Sequence, residues 1–283
     1  MVVACLLFSV MTVSVYAVSV CEPALPSVVV SFVRVLINLA ILLIPALMVR
    51  DLPGLFGDRR PSLWLRGFFG GLALMLSFAS IQLIGPGESA FLGASSGVFV
   101  AGLGPLILGQ QNSAWVWLAI LGALSGLLLL FEPRWGSHDW LGRAMALGSG
   151  FLAALAYLMV ARSGRSNSPR TVIFYFCLVA MAIHLIYFAL FGFTLAASPD
   201  AWTLLLVGGI AGSGAQLCMT QAYQMAPAAL VSAVGYLSPV LSLAWGIVLF
   251  AKIPDQRALI GCGLVLFCGV ILPFLTARSP YKQ

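Results

Sequence analysis

The chain has 283 residues, of which 61% are hydrophobic and only 8% are charged, and its formal net charge is +6. Because soluble domains carry about 25% charged residues, this composition excludes a soluble globular protein. The few basic residues lie between long apolar segments, which is typical of membrane-insertion signals and argues against nucleic acid as a partner. The sequence therefore predicts an all-α integral membrane protein surrounded by a lipid bilayer.

Helices of about 20 apolar residues cross the hydrocarbon core of a bilayer. The first such stretch, residues 1–20, lacks a basic n-region and is interpreted as a retained helix rather than a cleaved signal peptide. Two longer apolar runs break at 109–113 and 224–227, and each is divided there into two helices. In total we predict ten transmembrane helices, at residues 1–20, 27–49, 64–84, 89–109, 114–131, 142–160, 170–193, 202–222, 228–249 and 258–277.

The connectors between these helices predict the orientation of the chain. With both termini in the cytoplasm, the inner loops and tail carry nine basic residues, namely Arg50, Arg59, Arg60, Arg66, Arg162, Arg165, Arg170, Arg278 and Lys282. The outer loops then carry four, which are Arg134, Arg143, Lys252 and Arg257. Since basic residues concentrate on the cytoplasmic side, we expect a multi-pass protein of the inner membrane with both termini inside.

The chain also contains an internal repeat with an offset of 141 residues. This offset pairs Gly67 with Gly208, Gly71 with Gly212, Pro86 with Pro227 and Gly122 with Gly263. The two halves, residues 1–141 and 142–283, would each hold five helices, and an odd number places the second half upside down in the bilayer. Inverted repeats of this kind form a solute site near the membrane midplane, where they meet. Several of these glycines are four residues apart, which lets helices approach closely.

The sharpest candidate for a functional residue is Arg34, two turns into the predicted second helix and flanked by apolar residues. A guanidinium at this depth either faces a cavity or a partner inside the bundle, or extends to the outer interface. Asn38 lies one turn further on the same face. Glu88 begins the fourth helix on the same side of the membrane, with Gln82 just before it. It could pair with Arg34 or be a solvated acid at a helix N-terminus.

Other polar residues fall inside predicted helices, where contact with lipid would be unfavourable. Gln216, Thr220 and Gln224 recur every four residues and form one polar stripe, which either contacts a solute or joins helices by hydrogen bonds. His184 is either a group that titrates near neutral pH or a buried histidine with satisfied hydrogen bonds. Further candidates for the solute pathway are Ser95, Ser96, Ser232, Tyr236 and Ser238.

No pattern in the sequence indicates an enzyme or a cofactor site. We find no HExxH pair, no phosphate-binding loop, no paired carboxylates within a helix and no Cys/His cluster of metal-site spacing. The expected function is transport of a small-molecule solute without a bound cofactor. Two alternatives stay open at this point: an intramembrane enzyme acting on a lipid or small substrate, and a membrane scaffold that transports nothing.

Three segments carry a family resemblance. They are GPGESAFLGASSGVFVAGLGPLILGQ (Gly85–Gln110), AQLCMTQAYQMAPAALVSAVGYLSPVLSLAWGIVLF (Ala215–Phe250) and SPRTVIFYF (Ser168–Phe176). They resemble EamA-type proteins of the drug/metabolite transporter superfamily, and in particular the members grouped with S-adenosylmethionine and riboflavin carriers.

This resemblance implies ten helices in two inverted five-helix repeats and secondary transport by alternating access. The resemblance says little about the substrate, and the expected cargo is an amphipathic metabolite such as an amino acid, a nucleoside-like compound or a vitamin. Family members often carry a Gly-Glu pair that closes the fourth and ninth helices, but here these places read Gly109-Gln110 and Ala251-Lys252. The substrate, the direction of transport, any coupling ion and a homodimeric state are left open by the sequence.

Overall fold

The computed structural model describes residues 1–109, 112–131, 140–164, 166–196 and 198–250, together with 256–257, 260–261, 263–264 and 267–268. Within these ranges every regular element is an α-helix. The helices are α1 (Val2–Cys21), α2 (Ser27–Met48), α3 (Pro53–Phe56), α4 (Pro61–Gly93), α5 (Ser96–Leu108), α6 (Ala114–Phe131), α7 (Trp140–Ser163), α8 (Pro169–Phe191), α9 (Pro199–Met225), α10 (Ala228–Gly235) and α11 (Leu237–Phe250).

Six helices of the described part are long and apolar enough to cross a membrane. They are α1, α2, residues Pro61–Gly85 of α4, α7, α8 and α9, and shorter apolar helices cover Ser96–Leu108, Ala114–Gly126 and Ala228–Leu241. Large apolar side chains such as those of Leu106, Leu190 and Phe191 point away from the bundle, as expected of a surface in contact with lipid. The prediction of an all-α, multi-pass membrane protein is confirmed. Most of the predicted span 258–277 lies outside the described residues, so the number ten stays a prediction.

Helix α4 begins at Pro61, three residues before the predicted span 64–84. Proline is favoured in the first turn of a helix because its missing N–H is not needed there. The earlier start places Arg66 in the second turn of a helix, where only 2% of the residue is exposed. The assignment of Arg66 to an inner loop is therefore wrong.

Two of the predicted spans, 89–109 and 228–249, are interrupted helices. Before the first, Gly85 has a φ of 81°, a value that favours glycine, and bends α4 ahead of Pro86. The corresponding break before the second span is at Ala226 and Pro227, between α9 and α10. Gly85 and Ala226 are 141 positions apart.

Each of these spans is interrupted again near its middle. The N–H of Ser95 donates to the carbonyl of Leu92 (3.1 Å), and the N–H of Tyr236 donates to the carbonyl of Ala233 (3.3 Å). Both bonds join residues three apart, so the helix tightens locally, a feature that often marks a hinge when it occurs inside a helix. Ser95 and Tyr236 are also separated by 141 positions.

Glycines at the contacts between helices allow neighbouring helices to pack closely. α4 packs along α7 and α8, and α1 packs along α9. A methyl group on Gly67 would lie 2.7 Å from the backbone oxygen of Tyr175 in α8, and one on Gly208 would lie 3.1 Å from Cβ of Ser14 in α1. These glycines therefore allow the close approach that their spacing predicts.

Polar contacts join the connectors at each end of the bundle. At one end the Ser166 hydroxyl donates to Asp58 (2.6 Å), the Asp58 N–H donates to Oδ1 of Asn167 (3.1 Å), and Nε2 of Gln224 donates to the Asn167 carbonyl (3.2 Å). At the other end Glu22 Oε2 accepts from the N–H and hydroxyl of Ser198 (3.3 and 3.2 Å). Each set connects the first half of the chain with the second.

Candidate functional site

A cavity of about 270 Å³ lies between the helices. Its wall contains residues of α1, α2, α4 and α5 from the first half of the chain and of α7 to α11 from the second. Much of the wall is apolar, with Phe8, Leu74, Phe78 and Met219 among its residues. Both interrupted helices border it at their breaks, through Ala94 and Ser96, and through Gly235, Tyr236 and Ser238. The cavity is therefore a site to which both halves contribute.

Arg34 lines this cavity from α2 and is only 6% exposed. Its side chain packs against Gly212 of α9, where an added methyl group would lie 2.7 Å from the arginine Nε. That Nε atom is buried and has no hydrogen-bond partner among the described residues. An arginine that extended to the membrane interface would be exposed at the rim of the bundle. Its burial instead favours the interpretation that Arg34 faces the interior.

Arg66 is a second buried guanidinium on the same cavity, which the sequence analysis did not identify as a candidate. It is 2% exposed, and its guanidinium carbon lies 4.7 Å from the ring centroid of Phe176 in α8. Its Nε atom also lacks a hydrogen-bond partner within the described part of the chain. The signal was present in the sequence, because Arg66 has apolar neighbours on both sides just as Arg34 does.

The charges on the cavity wall do not balance. Two arginines line it, whereas none of the lining residues that the structure describes is an Asp or a Glu. Arg34 of α2 and Arg66 of α4 both border this cavity. A guanidinium at the centre of a membrane helix costs about 2.5–3.5 kcal/mol on insertion scales. The side chain of Glu88 lies outside the described residues, so its pairing with Arg34 stays a prediction.

Aromatic side chains form another part of the wall. Tyr157 of α7 and Tyr223 of α9 are stacked, with ring centroids 4.9 Å apart and an interplanar angle of 19°. The hydroxyls of Tyr223 and Ser232 share a hydrogen bond of 2.8 Å. Tyr236 lies at the break between α10 and α11, where its ring packs against Gly97 of α5 and its buried hydroxyl has no partner among the described residues.

The polar stripe of α9 is divided among three environments. Gln216 lines the cavity with a buried Nε2 that has no partner in the described structure. Thr220 is fully buried behind the wall, and its hydroxyl is likewise unpaired there. Gln224 packs on Gly164 and donates to the Asn167 carbonyl at the end of the bundle. Of the stripe, only Gln216 is positioned to contact a solute in the cavity.

Some of the other candidates from the sequence line the cavity, and others do not. Ser96, Tyr236 and Ser238 line the cavity. Ser95 points at the close approach of α7, because a methyl group on Gly150 would lie 2.6 Å from the Ser95 hydroxyl. Asn38 is buried one turn beyond Arg34, away from the wall, and its Nδ2 has no partner among the described residues.

His184 and Gln82 have structural contacts and do not line the cavity. His184 is fully buried, and its ring nitrogens lie 2.7 Å from the Ser31 hydroxyl and 2.7 Å from the Ala180 carbonyl. Gln82 donates to the Leu25 carbonyl (2.9 Å) and accepts from the Ser27 N–H (3.1 Å). Gln82 therefore holds the start of α2 against the end of the first part of α4.

The sequence model of the EamA-like transporter family matches residues 1–132 and 140–274. The chain therefore belongs to the EamA-like transporter family, within the drug/metabolite transporter superfamily. This confirms the resemblance of the Gly85–Gln110 and Ala215–Phe250 segments. It also indicates a membrane transporter rather than an enzyme, which sets aside the intramembrane-enzyme alternative.

Several curated proteins are similar to this chain. The pseudopaline exporter CntI of Pseudomonas aeruginosa is 28% identical over 214 residues, which cover 75% of this chain and 74% of the exporter. A riboflavin transporter of Vibrio cholerae is 26% identical over 150 residues, which cover 53% of this chain and 50% of the transporter. Solute carrier family 35 member G1 of Mus musculus is 25% identical over 237 residues, which cover 76% of this chain and 62% of the solute carrier. All three are named as transporters or solute carriers.

A solved crystal structure has the same fold. It superimposes with a TM-score of 0.80 and covers 98% of this chain and 96% of its own, although the sequence identity is only 19%.

Proposed function

We propose that this member of the EamA-like transporter family is a secondary carrier that moves a small organic solute across the inner membrane by alternating access. The observation that carries the proposal is the cavity of about 270 Å³, to whose wall both halves of the chain contribute. Carriers built from two repeats bind their solute where the repeats meet and alternate by rocking one unit against the other.

Two inverted five-helix repeats, residues 1–141 and 142–283, provide the moving units in this proposal. The family model matches one segment in each half. Breaks recur at the same offset of 141 positions, at Gly85 and Ala226 and again at Ser95 and Tyr236. This recurrence supports a repeat better than the glycine matches do, because it concerns backbone conformation rather than residue identity.

The interrupted helices supply the hinges. Ordinary helices resist bending, whereas a turn that lacks its usual i to i−4 bonds can change angle at little cost. The two inner breaks border the cavity, so a change of angle there alters the width of the cavity next to the solute. Discontinuous helices at a central site are a recurring feature of secondary transporters.

The size and lining of the cavity favour a small, amphipathic cargo. A volume of about 270 Å³ is slightly below the usual range of about 300–1,000 Å³ for pockets that hold drug-sized ligands. The solute would contact the apolar and aromatic wall on one part of its surface and polar groups on another. We propose that these polar contacts come from Arg34, Arg66, Gln216, Ser96, Tyr236 and Ser238.

Transport into liposomes tests the proposal. Purified protein is reconstituted, incubated with pooled amino acids, nucleosides and vitamins, and the vesicle contents are compared with those of protein-free vesicles. We expect at least one compound to accumulate, or to leave preloaded vesicles, in the presence of the protein.

A variant that fills the cavity provides the decisive comparison. Gly93 lines the cavity, and a Cβ atom added there would meet nothing within 4 Å, so we expect Gly93→Leu to fold and to extend into the solute space. Gly102 has equally open surroundings but is exposed on the outside of α5, so Gly102→Leu is the matched control. We expect Gly93→Leu to abolish uptake and Gly102→Leu to retain it. Equal uptake by both variants would refute transport through this cavity.

A further inference from the structure

We infer that the central cavity binds an organic anion, whose carboxylate or phosphate oxygens are held by the guanidinium groups of Arg34 and Arg66. The inference deepens the proposed transport function and rests on it for its biological meaning. The binding itself can be measured on purified protein without any transport. It concerns the chemical class of the solute, which neither the family nor the relatives of this chain determine.

The first argument is that two cations enter the cavity from different helices. Arg34 lies two turns into α2, and Arg66 lies in the second turn of α4. Both are buried, and both border the same space. A buried charge normally has an opposite charge beside it, since an uncompensated one is strongly unfavourable. Here the residues described on the wall provide none.

The second argument is that the donors are unused. Nε of each arginine is buried without a hydrogen-bond partner among the described residues, and so is Nε2 of Gln216. Buried polar groups in folded proteins are nearly always paired, and an exception calls for an explanation. A solute whose anionic oxygens accept from the guanidinium groups removes this deficit and supplies the negative charge that the described wall residues lack. Guanidinium forks match the geometry of carboxylate and phosphate oxygens.

The remaining wall indicates the rest of the molecule. The stacked pair of Tyr157 and Tyr223 offers an aromatic face, and Phe78 and Met219 offer apolar contacts. The face of Phe176 is already occupied by Arg66. The solute is therefore a small anion with an apolar or planar body rather than a compact inorganic ion. Cationic solutes are disfavoured because they would meet two like charges.

Matched small molecules test this inference on the purified protein in detergent. The probes are benzoate and phenyl phosphate, each compared with an uncharged counterpart, benzamide and phenol, and with the cation benzylamine. We expect at least one of the two anions to raise the Tm and give saturable calorimetric binding, while the neutral and cationic molecules do neither. The two anions also distinguish a carboxylate site from a phosphate site. A wild-type protein that neither anion stabilises, or that benzamide stabilises as much as benzoate, overturns the inference.

Substitution of the arginines tests which groups hold the anion. Arg34→Gln and Arg66→Gln should each weaken binding of the active anion about tenfold or more, because each removes charged hydrogen bonds. The control is Arg162→Gln, which removes the same charge from an exposed position in the last turn of α7. It should leave the affinity within about twofold, since exposed charges are screened by solvent. Equal losses in all three variants would show a general charge effect and overturn the assignment.

Two further variants keep the assignment testable if an arginine substitution prevents folding. Arg34→Lys retains the charge but loses the guanidinium fork, so it should weaken anion binding while the protein remains folded. Gly212→Ala leaves both arginines in place but puts a methyl group 2.7 Å from Nε of Arg34. Unchanged affinity in both variants would exclude Arg34 from the site.

The outcomes separate this inference from the transport function. Anion binding that depends on Arg34 and Arg66, without any uptake into liposomes, would retain the anion site and refute the carrier. Uptake of a neutral solute that is blocked by Gly93→Leu but unaffected by either arginine substitution would retain the carrier and refute the anion site.

Discussion

Replacing Gly67 by alanine should destabilise the protein, because helix α8 crosses α4 at this position without room for a methyl group. The new Cβ would lie 2.7 Å from the backbone oxygen of Tyr175 and 2.7 Å from Cβ of Val179. Neither atom can rotate away, since one belongs to the backbone of α8 and the other is bonded directly to it. The strain must therefore be relieved by separating the two helices. Overpacking of this kind costs about 1–3 kcal/mol.

The expected loss can be measured as a change in Tm of the purified protein in detergent. A change of 1 kcal/mol shifts the Tm by about 2–4 °C in chains of 150–250 residues, so we expect Gly67→Ala to lower it by several degrees. The control is Gly102→Ala, whose methyl group would meet nothing within 4 Å. It should leave the Tm unchanged or raise it, because alanine is the better helix former. Equal Tm values for the two variants would refute the packing argument.

Three further predictions concern topology, pH and the inner breaks. A reporter fused to the C-terminus should be cytoplasmic, and a cysteine at the exposed Asp200 should react from outside; access to both from the same side would contradict the ten-helix count. The hydrogen bond from the Ser166 hydroxyl lowers the pKa of Asp58 below its usual range. The ionised carboxylate therefore stabilises the fold above the usual pKa, and this stabilisation is lost as the pH falls through the lowered pKa. The Tm difference between wild type and Asp58→Asn should narrow below about pH 4, and a constant difference would exclude ionised Asp58 as a source of stability. Gly97→Ala should lower the Tm because its methyl group meets the Tyr236 hydroxyl. Adding Tyr236→Phe to Gly97→Ala should restore part of the lost Tm, and no recovery would argue against this contact.

The sequence predicted the helical class and most helix positions because charge-free runs of membrane length leave few alternatives. It did not predict the inner breaks at Ser95 and Tyr236. The outer breaks lie beside Pro86 and Pro227, whose missing N–H groups mark a discontinuity. The inner ones depend on how the backbone tightens where helices meet around a cavity, and no residue type signals that.

The candidate site was predicted in part, and the errors have two causes. Arg34 was identified because apolar residues flank it far from any predicted helix end. Arg66 was overlooked because a basic residue near a helix start is usually an orientation signal. For His184 and Gln82, hydrogen-bonding potential was evident, but their partners are distant in sequence: Ser31 lies 153 positions from His184, and Leu25 lies 57 positions from Gln82. Helical periodicity gives the face of a polar residue but not what packs against that face.

One pair of glycines 141 positions apart has different surroundings in the two halves of the chain. Gly71 corresponds to Gly212 by the offset of 141 positions, yet a methyl group on Gly71 would meet the backbone of α8 at Ala180 (3.1 Å), whereas one on Gly212 would meet the flexible ends of Arg34 (2.7 Å) and Met11 (2.9 Å). A clash with backbone must move a helix, but a clash with a long side chain can be relieved by moving that side chain alone. A methyl group on Gly71 should therefore lower the stability of the protein. A methyl group on Gly212 should displace the Arg34 side chain from the cavity wall while the helices keep their positions. The offset of 141 positions thus relates a glycine that serves helix packing, Gly71, to one that leaves room for a charged group, Gly212.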